Sequence, residues 1–242
     1  MSEIDRAIGR ITAAQADGYG IIVRRRDGPG DGWFSVAELD GSGRVEATLM
    51  SRISGMSGPP EAHISAEWMV ESLARALADL AGSFAVTTRT LPDLAPDNVL
   101  LAAEGGLFRA TAVISDELFE GEPEALADRF RTGFTDLMRP TIEWTDSQGL
   151  RPAKTLWRAA ADRLAQALVW SGKAFDRPDF ALELTRLVVG PDSPDERLRI
   201  PVERAEDEYG DEFHLRATCC LAYRTPDGYT CQSCPLQKTR GA

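Results

Sequence analysis

No cysteine precedes position 219 in this 242-residue chain. Histidine is scarce too, at His63 and His214. No window approaches the roughly 20 apolar residues that a membrane-spanning helix needs. The first twenty residues lack the apolar stretch of a secretory signal. The expected location is therefore the cytoplasm, with a peripheral seat at the inner membrane as an option. Basic residues are outnumbered, 27 Lys and Arg against 38 Asp and Glu, for a net charge of -11. An acidic surface is a poor match for a nucleic-acid backbone. Neither G-x-x-x-x-G-K-[ST] nor a strand followed by G-x-G-x-x-G occurs, so no nucleotide site is expected. No repeat of fixed period is present.

What is there begins with an ordinary globular composition. A hydrophobic fraction of 43% is enough for a core that needs no cross-links. Ile4, Ile8 and Ile11 share one face of an N-terminal helix. "YGIIVRRRDG" reads as a short strand and turn, and its Arg24 to Arg26 run as a solvated charge run. "RVEATLMSRIS" is weakly helical and is expected to stop at "GMSGPP". His63 to Leu80 forms a strong helix, with His63 at or before its start, and "SFAVTTRTL" then reads as a strand. Val99 to Ala103 and Leu107 to Ile114 flank Glu104-Gly105-Gly106 as a hairpin. "EALADRFRTGFTDLM" is helical and expected to end at Pro140. A helix from Ala153 closes at Gly172, and another begins near Pro178. Arg197 to Thr218 is polar and partly strand-like, in "RLRIPVE" and "EFHLRAT". The expected class is α+β, with strands mainly in the N-terminal half, a helical C-terminal half and a short cysteine-rich metal-binding segment. The expected regions are 1–120, 121–196 and 197–242, packed as one continuous unit.

All four cysteines, Cys219, Cys220, Cys231 and Cys234, lie in the closing stretch "TCCLAYRTPDGYTCQSCPLQKTRGA". The spacing is C-C-x10-C-x2-C. In a reducing compartment, clustered thiols are ligands or catalysts more often than disulfides. The C-x2-C pair can wrap a metal, and Pro235 stops a helix from running through it. The adjacent pair is harder to seat. Neighbouring side chains on an extended strand point to opposite faces. Two adjacent thiolates on one small tetrahedral ion would require a distorted backbone, whereas an elongated binuclear cluster requires a milder twist. This steric preference favours a [2Fe-2S] centre over zinc, with redox thiols as a further option. Pro226-Asp227-Gly228 forms a turn that folds the pairs together, with Tyr223 and Tyr229 placed to shield them.

The stretch "CCLAYRTPDGYTCQSCP" resembles the C-terminal signature of FhuF-type ferric-siderophore reductases. "TLWRAAADRLAQAL" and "AEWMVESLARALADL" are more weakly similar to helices of that family. The resemblance implies a [2Fe-2S] cofactor on Cys219, Cys220, Cys231 and Cys234. It implies a ferric-chelate reductase that passes one electron to Fe³⁺ of a ferric siderophore of hydroxamate type and releases Fe²⁺. The electron is expected from a ferredoxin-like donor. A zinc-stapled binding or assembly domain and an electron-transfer protein without a siderophore site are the alternatives.

Around the cysteines, Arg216, Arg224, Lys238 and Arg240 face a single acid, Asp227. Such a basic rim would attract an acidic donor or an anionic chelate, or merely offset the thiolates. Arg216, Arg224 and His214 are accordingly the candidate docking residues. An exposed strand position is the simpler reading of His214. The five tryptophans read as core residues.

Overall fold

One long helix organises the packing in the computed structural model, which describes residues 2–15, 22–39, 43–54, 61–206, 212–225 and 228–237. Helix α1 (Glu3–Gln15) opens on a reciprocal cap. Ser2 N–H donates to Asp5 Oδ2 (3.0 Å), and Asp5 N–H donates to Ser2 Oγ (3.2 Å). Its Ile4 and Ile11 are buried and Ile8 is half-buried, as the periodicity requires. Strands β1 (Ile22–Arg25) and β2 (Trp33–Ser35) precede helix α2 (Gly43–Ser54). Helix α3 (Ala62–Thr88) follows, then β3 (Thr90–Pro92), β4 (Val99–Glu104), β5 (Leu107–Val113) and β6 (Leu118–Glu120). Helices α4 (Pro123–Ser147), α5 (Ala153–Ala174) and α6 (Pro178–Val189) come next, then the short pair β7 (Arg204–Glu206) and β8 (Glu212–His214).

The main sheet has the order β1-β5-β4-β2, with β1 parallel to β5 and the other pairs antiparallel. The expected hairpin is β4–β5. Gly105 (φ +56°) and Gly106 (φ +70°) form its tip in a conformation that favours glycine. The fold is α+β with strands mainly in the N-terminal half, although α1, α2 and the longest helix, α3, also fall there. One hydrophobic cluster runs from Ile4 to Ile200. The short Ala residues of α3 and α5 let these two helices lie close together along much of their length.

Four expectations are corrected. "SFAVTTRTL" is mostly helix: α3 continues to Thr88 and leaves β3 only Thr90–Pro92. Phe84, Ala85 and Val86 are fully buried, because α3 is surrounded by α1, α4, α5 and the sheet. The last turns of α3 are enclosed and apolar, and packing there overrides the strand propensity of Val and Thr. Arg89, at φ +56°, ends it. Pro140 does not end α4, which runs to Ser147. Proline denies Asp136 its helical donor, yet Leu137, Met138, Thr141 and Ile142 on either side are buried and hold the helix in line. Gly172 lies inside α5. A Cβ there would approach Ala181 Cβ to 2.6 Å, so the glycine serves the close approach of α6. "RLRIPVE" forms a 3-10 turn (Glu196–Leu198) and irregular chain; the strands nearby are β7 and β8. The "GMSGPP" stop and residues 226 and 227 of the Pro-Asp-Gly turn lie outside the described residues.

Candidate functional site

Helices α3 and α5 each aim a buried carboxylate at the C-terminal segment. Asp162 on α5 accepts from Ala217 N–H (2.8 Å), Thr218 N–H (2.9 Å), Thr218 Oγ1 (2.5 Å) and His214 Nε2 (3.1 Å). Gln166, one turn on, accepts from His214 N–H at 3.0 Å. Glu71 on α3 pairs with Arg216 and also with Arg163, whose Nη2 lies 2.5 Å from Oε2. Burial pushes the Glu71 carboxyl up, but Arg216 and Arg163 outweigh it and hold the group below its ordinary value. Arg216 is held further up by Glu71 and Asp162, against its own burial. Glu67, on the same face of α3, is fully buried and accepts from Arg151 Nε at 2.6 Å. Burial and the neighbouring Glu71 carry its carboxyl up to about 7, against the pull of Arg151 and Arg216.

These contacts fix the chain just before the cysteines. Arg216 N–H also donates to the carbonyl of Ser233 (3.1 Å), which ties in the C-x2-C turn. Cys234 N–H closes that turn on Cys231 O at 3.0 Å. The adjacent pair is held from the body by Trp68 of α3, whose Nε1 donates to Cys220 O at 2.6 Å. Directly after the pair, Leu221 sits at φ +60°, and its N–H donates to Cys219 Sγ at 3.4 Å. A buried leucine in the left-handed region is strained. The left-handed residue is the one after the adjacent pair, and neither Cys219 nor Cys220 has a positive φ.

The thiols face one another in two pairs. Cys220 Sγ and Cys231 Sγ are 3.9 Å apart, and Cys219 lies against Cys234. The hydrogen bond from Cys231 lowers Cys220 to about 6, with help from Arg216 and the Ala222 N–H and against burial. The same bond drives Cys231 up, and burial raises Cys219. Among the described residues, no group of three or more His, Cys, Asp or Glu side chains is already drawn together around a common point. Four thiols in two facing pairs, with an N–H aimed at one sulfur and a buried guanidinium nearby, fit the donor set of a [2Fe-2S] centre.

Cys220 also forms part of the wall of a cavity of about 310 Å³. The remaining wall comes from four elements and the C-terminal segment. Arg52 comes from α2, Trp68, Glu71, Ser72 and Arg75 from α3, Arg109 from β5 and Arg163 from α5, and Tyr229 closes one side. The hairpin tip sets one edge: a Cβ at Gly106 would lie 2.4 Å from the backbone nitrogen of Arg52. Phe108 N–H donates to Ser72 Oγ (3.0 Å), which fastens β5 to α3.

The expected docking residues are placed differently from the sequence reading. His214 is wholly buried and Arg216 is 4% exposed, so both brace the segment from inside and neither meets a partner at the surface. Arg224 is exposed and paired with Glu61 at 2.9 Å. Lys238, Arg240 and Asp227 lie outside the described residues. The positive face at the cysteines is built by Arg52, Arg75, Arg109 and Arg163, which come from four separate elements and share no spacing. Tyr223 and Tyr229 are exposed, and only Tyr229 lines the cavity. Arg25 and Arg26 of the basic run turn to Asp116 and Asp31 nearby. Of the tryptophans, Trp157 is core.

An α+β body with a thiol segment clamped onto two buried carboxylates is thus the class of protein on view. Residues 216–236 match the family model described as the FhuF 2Fe-2S C-terminal domain. The resemblance carried by the cysteine spacing is borne out over that segment. No curated protein matches the chain. Among the described residues, no helix is long and apolar enough to cross a membrane.

Proposed function

We propose that this protein is a cytoplasmic ferric-siderophore reductase. The observation that carries the reading is the opening of Cys220, within the segment matching the 2Fe-2S domain, onto an arginine-lined cavity. Cys219, Cys220, Cys231 and Cys234 hold a [2Fe-2S] cluster, which when bound supplies one-electron transfer. Asp162, Glu71 and Trp68 position the ligand segment. Leu221 N–H and Arg216 offset negative charge on the sulfurs. The cavity seats the chelate against the cysteine wall. In the net reaction a reduced ferredoxin-like protein loses one electron and chelated Fe³⁺ gains it to become Fe²⁺. The oxygen ligands bind Fe²⁺ more weakly and take up protons from solvent as the iron leaves.

The test is anaerobic purification with metal and acid-labile sulfide analysis, followed by chemical reduction and addition of a ferric siderophore with a ferrous trap. Equal iron and sulfide, and trapped Fe²⁺ matching the electrons lost, are expected. A colourless zinc protein would point instead to a stapled binding domain. A brown protein that releases no Fe²⁺ from any chelate would be an electron carrier.

A further inference from the structure

The four arginines of the cavity are not equivalent. Arg163 is neutralised by Glu71, and Arg75 lies 3.5 Å from Asp79 on its own helix. Arg52 and Arg109 have no carboxylate partner among the described residues. Arg52 Nε is buried without a hydrogen bond, and its guanidinium stacks 5.3 Å from the Trp68 ring centroid. Burial pulls the Arg52 pKa down, and the like charge of Arg109 on the same cavity wall adds to it. A buried donor left unsatisfied is costly, and two facing cations repel. Both costs vanish when an anion enters.

The geometry points to Arg52 and Arg109 as the recognition pair for a polyanionic ferric chelate. Three hydroxamates only cancel the charge of Fe³⁺, whereas catecholates and hydroxycarboxylates leave the complex negative. The pair therefore selects the negative complexes over the neutral hydroxamate expected from the family resemblance. The assignment rests on the reductase reading for the nature of its ligand. Its wall residue Cys220 places the bound chelate beside the thiols. Trp68, Phe108 and Tyr229 give the same cavity apolar faces for the body of a chelator.

Gallium(III) complexes separate binding from reduction, because Ga³⁺ is not reduced under these conditions. The cluster-loaded protein is titrated by calorimetry with a trianionic hexadentate gallium tricatecholate and a neutral gallium trihydroxamate. The tricatecholate is expected to bind at least about tenfold more tightly, the equivalent of one charge-assisted hydrogen bond. Arg52→Gln with Arg109→Gln should erase that preference and leave the visible and far-UV spectra unchanged. Arg24→Gln with Arg158→Gln removes the same charge at a distance and should not. Arg109 is exposed, so Arg109→Gln alone keeps a readout should the double variant misfold, with a loss of about threefold. Equal affinity of the unaltered protein for the two complexes, or equal losses in the pocket and remote variants, would overturn the assignment. Ferrous release from ferric chelates would still be measurable, and the reductase reading would stand. Selective binding that needs Arg52 and Arg109, with no Fe²⁺ released from any ferric chelate, would support the pocket and sink the reductase.

Discussion

Asp162 gathers four donors onto one carboxylate within the last residues before Cys219. Asp162→Asn keeps the shape but leaves only one strong acceptor oxygen. It is expected to cost about 2 to 3 kcal/mol and to loosen iron retention, measured by thermal melting and by the iron-to-protein ratio after gel filtration. Replacing any one of Cys219, Cys220, Cys231 and Cys234 by Ser should strip the visible absorption and keep the far-UV spectrum; four variants with unaltered colour would refute the ligand set. Glu67 gives a different signature. Its pKa lies at about 7 in the folded chain against an ordinary 4.5, so the folded chain holds a proton that the unfolded chain releases. The groups facing it are Glu71 on α3, Arg151 ahead of α5 and Arg216 on the C-terminal segment. The stability it contributes is complete below about pH 4.5 and is lost as pH rises through about 7, about 3 kcal/mol in all. Melting curves of Glu67→Gln across this range should lose that slope. Retention of the full slope would show that another group titrates.

At the scale of elements, the hairpin tip is the sensitive joint. Gly106 combines a left-handed φ with contact on the backbone of Arg52, so Gly106→Ala must push α2 away from β5. The expected loss is about 1 to 3 kcal/mol, together with weaker chelate binding, read by melting and titration. The turn itself was legible, because Glu-Gly-Gly between two apolar runs allows little else. The cysteine motif was legible for the same local reason, but the left-handed Leu221 after the adjacent pair was not. The brace beneath the motif was not legible either. Glu67, Glu71, Asp162 and Gln166 sit in helices that also carry solvated charges, and nothing local separates a buried carboxylate from an exposed one. One trace was present: Asp162 and Gln166 are polar at i and i+4 within "AADRLAQAL", where alanine and leucine fill every other position but that of Arg163. The arginine cavity left no trace, since its residues meet only after α2, α3, β5 and α5 pack. The "SFAVTT" and Pro140 misreadings have the opposite cause, for there long-range burial overruled a clear local preference.

For the whole molecule, the core from Ile4 to Ile200 excludes every cysteine, and we propose that residues 1–202 fold without the metal segment. A chain ended after Val202 should be colourless and retain its helical far-UV signal with a lower melting temperature. Loss of all helical signal would show that the metal organises the fold. The same core makes α3 the common reference for the cavity and the thiols. Trp68, Glu71, Ser72 and Arg75 occupy successive positions of one stripe on that helix, and one of them grips the cysteine backbone while all four line the cavity. Inserting or deleting one residue between Trp68 and Arg75 would rotate everything beyond it by about 100° and put the cation and the indole on different sides of the protein. Over evolutionary time this interval can change its letters but not its length, so related chains that keep the chemistry should differ in size at their loops and hold the seven-residue step from Trp68 to Arg75 fixed.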